Sequence, residues 1–186
     1  MTFDPVHDTQ AVHRALVKAF SFPGTAVSIA GPASRAPDRS LPGALAAVAL
    51  TLLDPETTCW CAQPGLTDLT GSPGRPQDAA AFVFLSSPEE WAQAFLHARR
   101  GTLADPHLGA TLVGWTPDSC PEQVWRASGP GLEVPGDLSL PAGAWVAARN
   151  LACAEFPLGV DLVWVRGDSV VALPRTTWLV PTGGEA

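Results

Sequence analysis

The chain has 186 residues, of which 46% are hydrophobic and 16% charged, with a formal net charge of −7. That length buries roughly two thirds of the surface an unfolded chain exposes, and the composition is that of a folded protein, not a disordered one. One lysine and ten scattered arginines form no basic run, which argues against nucleic-acid binding through a row of neutralised phosphates.

The first predicted element is a helix, because Val12, Leu16 and Phe20 recur on one face with Ala15 and Ala19 beside them. Asp8 is its expected N-cap, with Asp4 before Pro5 as the rival start. Pro23–Gly24 ends it, and Thr25 to Ile29 reads as a short strand. Gly31 to Gly43, rich in proline and serine, is expected to be an exposed loop. Ala44 to Leu53 is apolar nearly all round and reads as a buried helix stopped by Asp54–Pro55. The longest apolar stretch, Leu41 to Leu53, is too short to cross a bilayer.

Thr57 to Cys61 and Ala80 to Leu85 are predicted strands, with a loop at Gly71 to Pro76 between them. A helix follows, capped by Ser87, with Pro88 at its first position and Glu89 and Glu90 in its first turn. Arg99, Arg100 and Gly101 close it. Ala110 to Trp115 and Gln123 to Ser128 are strands. Val160 to Val165 and Ser169 to Leu173 form a hairpin through Gly167–Asp168. Helical and strand runs alternate and the late strands pair locally. One α/β domain over 1–186 with a mixed sheet is therefore expected. Met1, Thr2, Phe3 and Asp4 carry no positive region and no apolar core. No secretory signal is read there, disulfides are not expected, and the cytoplasm is the expected compartment.

No Gly-rich loop ending in Gly-Lys-Ser or Gly-Lys-Thr, no Gly-x-Ser-x-Gly elbow and no His-Glu-x-x-His is present. Cys59 and Cys61 share one face of a strand. They read either as a metal or redox pair or, better, as buried thiols, because no second pair follows at zinc spacing. His97 and His107 could act as general bases, but nothing places a nucleophile beside them. Lys18, the sole lysine, lies off the apolar stripe of the first helix, so a Schiff-base role is not expected and no cofactor is assigned. Arg166-Gly167-Asp168 reads as a hairpin turn. Gly129 and Gly131 look like backbone turn positions. Seven tryptophans suit either an interface or a core.

The richest cluster is C-terminal. Arg175 and Thr176 offer donors to a phosphate or carboxylate, while Asp161 could instead pair with Arg175 as a structural bridge. Both readings stand at this point. Arg14 joins Arg175, Thr176 and Asp161 as a candidate contact to an anion.

Several motifs together resemble one family. They are Arg14-x-x-x-Lys18-Ala19 with Pro23–Gly24, Leu50-Thr51-Leu52-Leu53-Asp54, Gly101–Thr102, Pro106-x-x-Gly109-Ala110-Thr111-Leu112 and Gly129-Pro130-Gly131. The most specific are Phe156-Pro157-Leu158-Gly159-Val160-Asp161-Leu162 and Ala172-Leu173-Pro174-Arg175-Thr176-Thr177. From about Val6 to Val180 the chain resembles PhnH proteins, core subunits of the bacterial carbon–phosphorus lyase system. The resemblance implies a three-layer α/β/α fold like a reduced main domain of pyridoxal-phosphate-dependent transferases, without the cofactor lysine. It implies a homodimer that also joins PhnG, PhnI and PhnJ. That complex converts ATP and an alkylphosphonate to ribose 1-alkylphosphonate 5-triphosphate and adenine. Two alternatives remain: an independent nucleotide- or phosphonate-binding enzyme, and a stand-alone ligand sensor.

Overall fold

In the computed structural model, residues 2–37, 41–63 and 65–182 are described. The helices are α1 (His7–Ser21), α2 (Ala30–Arg35), α3 (Gly43–Leu52), α4 (Leu66–Thr70), α5 (Pro88–His97) and α6 (Trp145–Ala152). The strands are β1 (Val27–Ser28), β2 (Cys59–Cys61), β3 (Phe82–Leu85), β4 (Thr111–Thr116), β5 (Glu122–Ser128), β6 (Gly136–Pro141), β7 (Asp161–Arg166), β8 (Ser169–Leu173) and β9 (Trp178–Pro181). A six-stranded sheet runs β1-β8-β7-β4-β3-β2, and a three-stranded sheet runs β6-β5-β9. In the larger sheet β2, β3, β4 and β7 are parallel, while β8 runs antiparallel to both β7 and β1. The fold is thus α/β with a mixed sheet.

Both faces of the large sheet are covered, so its strands read as continuous apolar runs. Val163 and Val165 of β7 pack with α1 to α4, whereas Leu162 and Trp164 pack with α5, α6 and the small sheet. β8 alternates likewise, with Val170 and Ala172 on one side and Val171 and Leu173 on the other. Gly114 of β4 lets α5 come close: a Cβ there would lie 2.2 Å from Cζ2 of Trp91. Trp91 packs edge-on against Trp145 at 5.3 Å, and Phe95 stacks on the same ring at 6.1 Å. Six of the tryptophans are buried or half-buried and Trp178 alone is exposed, so they serve mainly the core.

Asp4, rather than Asp8, caps α1: its Oδ1 accepts the N–H groups of Val6 and His7 at 2.8 and 2.9 Å. Asp8 lies buried inside the helix and binds Arg35. The segment expected as an exposed loop contains α2, with Pro32 and Ala33 buried. A proline in a helix's first turn gives up no hydrogen bond, so Pro32 permits the helix it was expected to prevent. Residues 38–40 of that expected loop lie outside the described residues. Ser87 does take the N-cap position of α5, but its hydroxyl pairs with the Glu89 carboxylate instead of a backbone amide. Among the described residues no helix is long and apolar enough to cross a membrane.

Candidate functional site

Asp161 opens β7, and Arg175 stands two residues beyond the end of β8. Because β7 and β8 are antiparallel, with Leu162 opposite Leu173, these two side chains meet at the open end of the hairpin. The backbone N–H of Arg175 donates to Asp161 Oδ1 at 2.7 Å. Its Nε lies 3.3 and 3.2 Å from the two carboxylate oxygens, and Nη2 donates to Oδ2 at 2.6 Å. Nη1 reaches across the fold to the carbonyl of Pro106 at 2.8 Å. Two glycines make room. A Cβ on Gly109 would lie 2.7 Å from Nη1 of Arg175, and one on Gly159 would lie 3.0 Å from Arg175 Cβ and 3.1 Å from Cys153 Sγ.

The motifs around positions 106–109, 158–161 and 174–177 therefore converge on one guanidinium. Chemically this is a closed joint. Asp161 fills the planar fork that an external carboxylate or phosphate would otherwise take, and the two charges cancel.

A second arginine, which the motifs before Phe156-Pro157 carry over only weakly and which is not among the candidate anion contacts, lies behind it. Arg149 of α6 is fully buried. It donates to the carbonyls of Thr177 at 2.7 Å and Pro174 at 2.6 Å, and the neighbouring Asn150 amide donates to the carbonyl of Leu179 at 2.6 Å. Burial pulls the Arg149 pKa below its ordinary value, while Cys153 and Asp161 oppose the shift. Arg149 Nε, Asn150 Oδ1 and Thr177 Oγ1 are buried without a partner among the described residues. A signal did exist: Trp145, Val146, Arg149 and Ala152 share the helix's buried stripe. An arginine there is easily discounted, because arginines are mostly exposed.

Thr176 is half-buried beside Arg175, and its hydroxyl bonds to none of the described residues. Arg14 is not brought to this joint; it lies exposed on α1, 3.5 Å from Gln10 Oε1. His97 is exposed with Nδ1 2.8 Å from the Gln93 carbonyl, and His107 is exposed in the 3-10 turn Pro106–Leu108. Cys59 and Cys61 both pack toward the layer of α1 to α4. Burial pushes the Cys61 thiol pKa up, which favours the neutral form. Lys18 is exposed on α1. Arg166-Gly167-Asp168 forms the β7–β8 turn, where Arg166 pairs with Glu122 at 3.0 Å and lies 5.7 Å over Trp164.

Beside the joint runs an apolar groove of about 440 Å³ between α1 and the sheet, lined by His13, Val17, Phe20, Leu52, Phe82 and Thr111 among others. Thr111 pairs in register with Asp161, so the groove floor adjoins the arginine joint.

The chain is an α/β protein whose mixed sheet is clasped at one end by two arginines, Arg175 and Arg149. The chain belongs to the PhnH family, described as a bacterial phosphonate metabolism protein, whose model matches residues 2–180. It is 34% identical over 176 residues to the putative C-P lyase subunit protein HtxG of Stutzerimonas stutzeri, covering 90% of this chain and 84% of that one. It is 31% identical over 199 residues to the alpha-D-ribose 1-methylphosphonate 5-triphosphate synthase subunit PhnH of Rhizobium meliloti (strain 1021), covering 95% and 92%.

Proposed function

We propose that the chain is a subunit of a carbon–phosphorus lyase core complex. With PhnG, PhnI and PhnJ it is needed to convert ATP and an alkylphosphonate to ribose 1-alkylphosphonate 5-triphosphate and adenine. The carrying observation is the family match over residues 2–180, together with two relatives each named as a subunit. The site chemistry supports it. The motif residues go into a self-satisfied joint between β7, β8 and the 106–109 turn, which suits a rigid scaffold offering surfaces to partners. In this reading residues 1–186 form one domain, like a reduced pyridoxal-phosphate transferase main domain. The exposed position of Lys18 is in keeping with a fold that has no cofactor lysine. The chain works in the cytoplasm as a homodimer or within the complex.

An independent nucleotide- or phosphonate-binding enzyme built on Arg175, Thr176 and Asp161 is the second reading. It draws on the contiguity of those three residues, and it is the weaker one because Asp161 occupies the arginine's fork. The purified chain is assayed with ATP and methylphosphonate, alone and mixed with PhnG, PhnI and PhnJ. Adenine release only in the mixture is expected. Turnover by the chain alone would overturn the subunit reading.

A further inference from the structure

The chain carries 18 acidic and 11 basic side chains, yet the exposed positions of α1 bear His7, His13, Arg14 and Lys18 and no carboxylate. Asp8, the helix's one acid, is buried and held by Arg35. The apolar groove opens along the same helix. Val17, 52% exposed, lines it, and Phe22, 56% exposed, follows the helix end. At 100° per residue His13, Val17 and Phe20 form the groove stripe, Arg14 stands on its flank about 60° round from Val17, and Lys18 lies about 40° further round. The opposite wall ends at Leu52. Just beyond it Asp54 accepts the amides of Glu56 and Thr57 at 3.0 and 2.7 Å, so this nearby carboxylate is engaged in its own turn. Among the described residues neither Arg14 nor Lys18 forms an ion pair. The result is an apolar slot with an uncompensated cationic rim on an otherwise acidic molecule.

We infer that this face docks a segment of another subunit, one that carries apolar anchor side chains beside acidic ones. The inference rests on the proposed subunit role and adds the surface and the chemistry of the partner. Charge complementarity chooses the occupant. A two-fold contact between copies centred here would set Arg14 and Lys18 against themselves, whereas an acidic segment neutralises both while its anchors fill the slot. Buried apolar anchors give such an interface its affinity, and rim charges give rate and specificity.

The test uses the full chain and the same PhnG, PhnI and PhnJ mixture, with affinity read by sedimentation at low and high salt. Val17→Glu and Lys18→Glu alter exposed side chains, and their melting curves check the fold. Each is expected to weaken binding at least tenfold, and Lys18→Glu is expected to flatten the salt dependence. Wild-type affinity in both folded variants would overturn the surface while leaving the subunit role intact. A self-dimer of the lone chain that Val17→Glu dissolves would instead make a second copy the occupant and overturn the inference. Failure of the unaltered chain to bind the mixture would overturn the subunit role and this inference together.

Discussion

At Arg175 one side chain ties three segments that lie far apart in the chain, and its hydrogen bonds explain why those segments carry the most specific motifs. Removing one member of such a pair leaves the other charge poorly solvated, at a cost of roughly 3 kcal/mol. Asp161→Asn and Arg175→Ala are each expected to lower the urea midpoint accordingly, and the double variant is expected to cost less than the sum. Strict additivity would mean that the two side chains do not interact. Asp8 gives a pH signature. Arg35 first, and the Asp4 amide second, hold its carboxyl at about 2 against an ordinary 3.8. A carboxylate depressed on folding adds stability above its unfolded value and loses it as pH falls through its folded one. The melting-temperature gap between the wild type and Asp8→Asn should be full above about pH 5 and close by about pH 2. A gap independent of pH would contradict the ion pair.

Elements differ in how far a sequence alone discloses them. Gly114→Ala probes one contact between elements directly. The new methyl would meet the indole of Trp91, itself wedged against Trp145, and overpacking of this kind costs typically 1–3 kcal/mol. An unchanged thermal midpoint would show that α5 can yield. Helix α5 was legible because Ser87, Pro88, Glu89 and Glu90 announce its start. The β7–β8 hairpin was legible because Gly167–Asp168 separates two apolar runs. Helix α2 was not, since Gly31, Pro32 and Ser34 carry loop chemistry and tertiary packing overrides it. Helix α6 went unread because a buried arginine interrupts its apolar stripe. Strand β6 mixes glycine and polar residues with its leucines, β9 is only four residues long and ends in Pro181, and pairing with β5 settles both. Of the candidate site, the Arg175–Asp161 meeting followed from the hairpin, whereas Arg149 required knowing which way α6 faces. Arg14 could not be placed apart from the C-terminal motifs without the fold.

For the whole molecule, the two apolar layers and the clasp at the sheet's end describe a rigid body whose unspent features lie outside. These are the cationic groove of α1 and the exposed Trp178 and Val180 of β9. Surfaces of this kind suit an obligate assembly. In the proposed function the chain acts as one part of a larger enzyme. Sedimentation of the 19.4 kDa chain mixed with PhnG, PhnI and PhnJ tests it most directly. The chain is expected to move quantitatively into one fast-sedimenting species, and its omission is expected to abolish adenine release from ATP and methylphosphonate. A chain that stays in its own slow boundary, while the other three subunits sediment together and turn over at full rate, would contradict it.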